Sequence, residues 1–286
     1  MQKIAFIGTG VMGESVVRHL LNANYPVTVY SRTKVKAESL FALGAKWAET
    51  PCKAAEHADI IFTMVGYPTD VELVYFGENG IFEGGTAGQI IVDMTTSSPE
   101  LAKRIANHAS ERQMSAIDAP VSGGDIGAKN GVLSIMCGGE KKIFDKLLPI
   151  LNVFGKDIVY QGSAGAGQHT KMANQIAIAT NMIGVCEAIV YAEKAGLDPQ
   201  TVLSSISSGA AGSWSLSNLA PRMLKGDFEP GFFVKHFLKD MDIALKEAEM
   251  MELNLPGLSM ARELYARLIK QGYGEKGTQV LYKSYS

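Results

Sequence analysis

Gly8, Gly10 and Gly13 stand in the spacing G-x-G-x-x-G, with Thr9, Val11 and Met12 between them, directly after the apolar run Lys3-Ile4-Ala5-Phe6-Ile7. A helical pattern follows (Val16, Val17, Leu20, Leu21), then a turn at Asn24-Tyr25-Pro26 and a second apolar run, Val27-Thr28-Val29-Tyr30. Strand, glycine turn, helix and strand together form the context in which this spacing serves a dinucleotide's pyrophosphate. Gly8 permits the tight turn, Gly10 lets the backbone approach the phosphates, and Gly13 lets helix and strand pack closely. The helix start adds unpaired N–H groups and a positive dipole end. The tip of the second strand reads Ser31-Arg32-Thr33-Lys34, without the Asp or Glu that would bind both ribose hydroxyls. Arg32 can pair with a 2′-phosphate, and Ser31 and Thr33 can donate to its oxygens. NADP(H) is therefore expected, with NAD possible. The alternative for Arg32 is stacking on the adenine, which either cofactor permits.

A second set of residues lies on one long helix expected from about residue 167 to 194. It is apolar or small around most of its circumference, as a central buried helix is. Yet Lys171 and Asn174 are three apart and Asn181 follows seven later, so the three share a stripe. Polar groups on a buried helix cost free energy unless they meet partners or a ligand. The bland reading for Lys171 is a side chain snorkelling to solvent. For Asn174 it is a helix–helix hydrogen bond.

The elements that must position these residues alternate through the first half. Strand-like runs recur at Asp59 to Val65, Gln89 to Asp93, Ser115 to Ala119, Val132 to Cys137 and Asp157 to Tyr160. Helical stretches such as Val35 to Leu43 and Glu100 to Gln113 lie between them. This predicts a mostly parallel, doubly wound α/β sheet of Rossmann type. After Gln161-Gly162-Ser163-Ala164-Gly165 only helical patterns remain. We therefore expect a dinucleotide-binding domain over 1–164 and an all-α domain over 165–286, joined through the long helix.

Composition narrows the function classes. The chain is 47% hydrophobic and 20% charged, which suits a globular core. A formal charge of −2 gives no electrostatic reason to expect nucleic acid or a membrane surface. Cys52, Cys137 and Cys186 are far apart and lack metal-type spacing, and the five histidines form no ligand motif. No metal is expected, and the cysteines read as core residues in a reducing compartment. A strand beginning near residue 3 leaves no room for a leader, and no stretch of about twenty residues looks apolar enough to span a bilayer. A cytoplasmic location is expected.

Four blocks carry a family resemblance: Phe6-Ile7-Gly8-Thr9-Gly10-Val11-Met12-Gly13, Asp118-Ala119-Pro120-Val121-Ser122-Gly123-Gly124, Gly165-Ala166-Gly167-Gln168-His169-Thr170-Lys171-Met172-Ala173-Asn174, and Lys239-Asp240-Met241. In this order and over nearly the whole chain, they resemble the β-hydroxyacid dehydrogenase family. Its members include 3-hydroxyisobutyrate dehydrogenase, tartronate semialdehyde reductase, and glyoxylate and succinic semialdehyde reductases. The resemblance implies that Lys171 is the acid/base group. Hydride transfer to a carbonyl leaves an alkoxide that needs a proton, and the reverse direction needs a base. A lysine ordinarily titrates near 10.4, and burial, a helix N-terminus or a neighbouring cation would lower that value. Lys239 is the candidate cation. The resemblance also implies that Ser122, Gly123 and Gly124 hold a substrate carboxylate, that Asn174 orients the carbonyl oxygen or the lysine, and that Met64, Val65, Thr95 and Lys239 face the cofactor. Thr95 to Pro99 equally reads as a helix cap.

Three departures from the family pattern stand out. Ser31 replaces the acid of some relatives, Gln175 stands where many have a second asparagine, and Met241 replaces a commoner leucine. The expected function is NADP(H)-linked interconversion of a small 3-hydroxy acid and its semialdehyde, or reduction of glyoxylate or succinic semialdehyde, by a homodimer or homotetramer. The rivals are a 6-phosphogluconate-type oxidative decarboxylase, which would need a larger second domain, and a non-catalytic dinucleotide-binding module. Imine reductases are more distant, since those relatives lack the lysine.

Overall fold

The computed structural model describes residues 1–285. Two compact units are defined by internal packing, Met1–Lys171 and Met172 onward, so the division falls within the long helix.

The first unit is a nine-stranded sheet in the order β3-β2-β1-β4-β5-β6-β8-β7, with β9 paired to β8. The strands are β1 (Ile4–Ile7), β2 (Val27–Tyr30), β3 (Lys46–Trp47), β4 (Ile60–Thr63), β5 (Ile90–Asp93), β6 (Ser115–Asp118), β7 (Val121–Ser122), β8 (Leu133–Gly139) and β9 (Gly155–Gly162). Strands β1 to β6 pair in parallel, and β8 runs antiparallel to both β6 and β7. Every residue of β1, β4 and β5 is buried, as expected of strands covered on both faces. Period two then sorts their side chains between two cores. Ile4, Phe6, Ile60, Phe62, Ile90 and Val92 join the core containing Val16, Val17 and Leu20 of the first helix, Val11–Asn22. Ala5, Ile7, Ile61 and Ile91 join the opposite core, with Leu101, Ile105 and Ala109 of the helix Pro99–Glu111.

Strand order reverses between β1 and β4. The carboxyl ends of the strands beside such a switch point are where open α/β sheets bind ligands. The glycine turn follows β1, Ser31 follows β2, Met64 follows β4, and Met94-Thr95 follows β5.

The second unit is helical. Its core gathers Met172, Ala179, Met182, Cys186 and Ile189 of the long helix with Phe237, Met241, Tyr265, Leu268 and Leu281. The helices Val234–Met250 and Pro256–Lys270 pack beside it, and Tyr265 donates from its buried hydroxyl to the Thr278 carbonyl at 2.9 Å. The only pairing of strand type among its described residues is a single bridge, Phe233 to Gly277.

The structure departs from the expected elements at short segments. Strands β3 and β7 have two residues each and carry no periodic signal. The stretch Val35 to Leu43 is a 3-10 turn, Lys34–Ala37, followed by a one-turn helix, Glu38–Phe41. The long helix, Ala166–Lys194, is 29 residues long and, by length and composition alone, apolar enough to cross a membrane, which corrects the sequence expectation. Core helices of water-soluble proteins meet the same criterion, and this one buries Gln168, Lys171 and Gln175 as well as apolar residues.

Candidate active site

Each glycine of the turn answers a different local demand. Gly8 sits at φ +104°, and a Cβ there would lie 2.2 Å from the Met64 carbonyl oxygen. A Cβ on Gly13 would lie 2.0 Å from the Gly8 carbonyl oxygen, so the helix can approach β1 only without it. Gly10 is extended, at φ −72°, and a Cβ there would meet no protein atom within 4 Å. Gly10 is thus glycine for a reason outside the protein's own packing. The helix that begins at Val11 has no side-chain cap, which leaves its first-turn N–H groups for a ligand. Thr9 is 2% exposed, and its hydroxyl has no hydrogen-bond partner in the protein. An open glycine, an uncapped helix start and an orphaned hydroxyl fit a dinucleotide's phosphates.

Arg32 is exposed at the end of β2, flanked by Ser31 and exposed Thr33. It donates to Asp70 at 2.9 Å. Asp70 lies in the first turn of the helix Pro68–Phe76, where it also accepts from the Tyr67 N–H at 3.2 Å. The sequence places no acid near the strand tip; the fold brings one from 38 residues away. The Arg32 side chain is 74% exposed and that of Asp70 16%, and a pair solvated on one side in this way is worth about 1 kcal/mol, less than a charge-assisted phosphate contact of about 1.5–3 kcal/mol. A phosphate can therefore displace Asp70.

Buried hydrogen bonds fix the loops after β4 and β5. Asp93 accepts from the Thr63 hydroxyl at 2.8 Å and from the Thr95 N–H at 3.0 Å, and the Thr63 and Tyr75 hydroxyls lie 2.9 Å apart. The Thr95 hydroxyl accepts from the Val65 N–H at 3.0 Å, which ties Val65 and its neighbour Met64 to the β5 loop. Thr95 is 2% exposed. The cap of the following helix is Ser98, which accepts from the Leu101 N–H at 3.1 Å ahead of Pro99.

Burial pushes the Asp93 carboxyl up from 3.8 to about 6, against the pull of its hydrogen bonds, with a smaller contribution from the Asp118 charge. A carboxyl whose folded-state value is raised favours the fold most below pH 4 and loses that contribution as pH rises through 6. The rise is worth about 3 kcal/mol. Asp93→Asn, which keeps an acceptor and cannot ionise, is expected to gain about that much stability relative to the native chain between pH 4 and 7. Urea unfolding at both pH values measures this, and parallel pH profiles for the two proteins would contradict it.

Lys171 is 6% exposed, one turn into the long helix. That helix start is anchored to the sheet. Asp118, at the end of β6, accepts from the Gly165 and Gln168 N–H groups at 2.8 Å each. Gln168 is fully buried, donates from Nε2 to the Thr95 carbonyl at 2.7 Å and accepts at Oε1 from the Ser97 N–H at 3.0 Å. A Cβ on Gly167 would lie 2.3 Å from the Met136 carbonyl oxygen, so the first turn presses directly on β8.

Ser122 ends β7, and Gly123 and Gly124 follow at φ +127° and +63°. Two left-handed residues turn the chain sharply, and the helix Gly124–Asn130 starts there without a side-chain cap. With no side chain at two successive positions, this turn is a candidate cradle for an anion.

In the second unit, Asn174 donates to the Gln175 Oε1 at 2.7 Å, and Gln175 donates to Asp240 at 2.6 Å. Lys239 forms an ion pair with the other Asp240 oxygen at 2.7 Å, and its side chain is only 12% exposed. Asp240 thus holds the Lys239 ammonium in place. Gln175, noted in the sequence only as a departure, is the link from Asn174 to that pair. Trp214 is 64% exposed. Among the described residues no group of three or more His, Cys, Asp or Glu could hold a metal. All three cysteines are free, and burial pushes Cys137 and Cys186 up to about 12.

Sequence reasoning missed Asp70, Asp93, Asp118 and Gln168 as residues that build this site. Gln168 had a usable signal, since it lies three residues before Lys171 on the same helix face. Asp70 had none beyond a helix-cap pattern.

A doubly wound sheet with a dinucleotide turn at its switch point, followed by a helical unit on a long lysine-bearing helix, defines a class of nicotinamide-dependent oxidoreductase. Comparison with known proteins narrows the class. Residues 3–162 match the family model described as the NAD binding domain of 6-phosphogluconate dehydrogenase, and residues 165–285 match the NAD-binding region of NADP-dependent 3-hydroxyisobutyrate dehydrogenase. The chain is 61% identical to an uncharacterized oxidoreductase, YkwC, of Bacillus subtilis (strain 168), over 98% of this chain and 97% of that protein. It is 41% identical to the 2-hydroxy-3-oxopropionate reductase of Escherichia coli (strain K12), over 92% of this chain and 90% of that one. Among solved structures, the Mycobacterium tuberculosis 3-hydroxyisobutyrate dehydrogenase with L-serine superposes with a TM-score of 0.91 at 27% identity, covering 99% of each chain. The chain belongs to the 3-hydroxyisobutyrate dehydrogenase-like family of NAD(P)-dependent oxidoreductases.

Proposed function

We propose that the chain is an NADP(H)-preferring reductase of small carboxylate-bearing aldehydes, interconverting a 3-hydroxy acid and its semialdehyde, with glyoxylate as a further candidate substrate. The observation that carries the reading is a buried lysine, Lys171, on a helix whose first turn is bonded to the carboxyl ends of β5 and β6. The relative acting on 2-hydroxy-3-oxopropionate supports the substrate class.

When bound, the nicotinamide supplies or accepts a hydride at C4. The chain's residues do the rest. Gly8 to Gly13 hold the pyrophosphate, Arg32 with Ser31 and Thr33 holds the 2′-phosphate, and Met64, Val65 and Thr95 border the nicotinamide half; Lys239, held by Asp240, is a further cofactor-binding candidate. The N–H groups and hydroxyl of Ser122-Gly123-Gly124 take the substrate carboxylate. Asn174 orients the carbonyl oxygen or the lysine. In reduction, the Lys171 ammonium gives its proton to the nascent alkoxide, and in oxidation the neutral amine removes the hydroxyl proton.

The test is NADPH and NADH oxidation with glyoxylate, succinic semialdehyde, tartronate semialdehyde and methylmalonate semialdehyde. Strong NADPH-linked turnover of one of them is expected. Silence across the four despite tight NADPH binding would overturn the reading in favour of a non-catalytic dinucleotide-binding module. On the cofactor side, Arg32→Ala is expected to raise KM for NADPH about 10- to 100-fold, the loss of one charge-assisted contact, and to move KM for NADH less than about threefold. Equal effects on both cofactors would assign Arg32 to the adenine instead. Assembly into dimers or tetramers belongs to the same reading, supported by exposed Tyr191, Leu197, Trp214 and Met260 on the helical unit. Sedimentation of a monomer at micromolar concentration would contradict it.

A further inference from the structure

Gln168 is a fully buried amide whose side chain makes two backbone contacts 71 and 73 residues away in sequence. It donates to the carbonyl of Thr95 and accepts from the N–H of Ser97, so it brackets the loop that leaves β5. Its own N–H donates to Asp118, as does that of Gly165. Lys171 lies three residues further along the same helix, less than one turn away. A helix packed only by apolar contacts can slide or rotate by fractions of an ångström at small cost. One held by a two-pronged amide and a doubly bonded carboxylate cannot, because each displaced prong leaves a buried polar group unsatisfied. The Thr95 side of the bracket is equally fixed, through Asp93 and Val65.

We infer that Gln168 is a positioning residue for proton transfer: it sets the register between the Thr95 loop and Lys171, so that the proton donor stands at a fixed distance from the ring that the loop borders. The inference rests on the proposed role of Lys171. Asp118 shares the task by fixing the first turn to β6, and Gln168 is the member that reaches the cofactor loop itself. Glutamate at this position would keep the acceptor for the Ser97 N–H and turn an oxygen toward the Thr95 carbonyl. Methionine has nearly the same length and neither prong.

The experiment is a double-mutant cycle on NADPH-linked reduction of tartronate semialdehyde, with amide hydrogen exchange as a second readout. Gln168→Met is expected to lower kcat about 10- to 100-fold, as misplacement of a catalytic group does, with KM for NADPH and for the aldehyde changed less than about threefold. In the Lys171→Ala background the same substitution is expected to lower the residual kcat less than about threefold, because a positioning residue has nothing left to position. Exchange is expected to quicken at Thr95 to Ser97 and at Gln168 to Lys171 together. Full, multiplicative loss in the Lys171→Ala background would overturn the inference and assign Gln168 a merely structural role. So would unchanged kcat in Gln168→Met, or exchange confined to one of the two segments. If the methionine variant does not fold, Gln168→Leu, which also lacks both prongs, carries the same cycle and the same outcomes. Retained turnover in Lys171→Ala alone would instead sink the proposed role of the lysine, a result separate from any effect at Gln168.

Discussion

Gly10→Ala is expected to leave the fold intact and weaken NADPH binding at least about 100-fold, while Gly13→Ala three residues on is expected to destabilise the first unit by more than about 3 kcal/mol. The contrast follows from what a methyl group would meet. At Gly10 it meets no protein atom within 4 Å, on a backbone at φ −72° that any residue adopts. Its only possible conflict is with a ligand lying against the loop, so the effect falls on affinity alone. At Gly13 the methyl would stand 2.0 Å from the Gly8 carbonyl oxygen and 3.0 Å from the Phe6 ring. Both neighbours belong to the β1 turn, which is hydrogen bonded from the Gly8 N–H to the Tyr30 carbonyl at 2.8 Å and cannot retreat. Separating helix from strand would open the core around Phe6, Val16 and Val17, at a cost of more than about 3 kcal/mol. Thermal unfolding with and without NADPH measures both effects. A Gly10→Ala protein that binds NADPH normally would contradict the assignment of this loop to the pyrophosphate.

The same contrast shows what was legible in the sequence. The glycine spacing, the strand before it and the helix after it are local features, and each was readable from a few consecutive residues. So was the long helix, because nearly thirty residues without a break leave few alternatives. Strands β3 and β7 were not, since two residues cannot display a period. Among the candidate site residues, those within a short motif could be proposed from the sequence: Arg32 at a strand end, Ser122 to Gly124 at a double-glycine turn, and Lys171 and Asn174 one turn apart on a long apolar helix. Those whose meaning depends on a distant partner were not. Asp70 becomes relevant only when the fold carries it to Arg32, and Gln168 only when the first turn of its helix meets the Thr95 loop. Asp93 looked like the end of a strand, and its raised carboxyl follows from burial beside Thr63 and Thr95.

Lys171→Ala is expected to lower kcat about a thousandfold, in the range that loss of a positioned acid or base produces, with NADPH affinity changed less than about twofold. The side chain is almost wholly buried, so alanine leaves a void as well as removing the ammonium. The fall in kcat is separated from any loss of stability by comparing folded fractions at the assay temperature. Gly10 and Lys171 therefore test different halves of the account. The first variant loses the cofactor and keeps its acid; the second keeps the cofactor and loses its acid.

The most direct test of Lys171 as the proton carrier is the single-turnover rate of NADPH oxidation, with enzyme in excess and tartronate semialdehyde saturating, in native chain and Lys171→Ala side by side. Single turnover removes product release from the comparison and reads the chemical step itself. The account predicts a rate about a thousandfold lower in the variant at unchanged NADPH occupancy. Equal rates in the two proteins would contradict it.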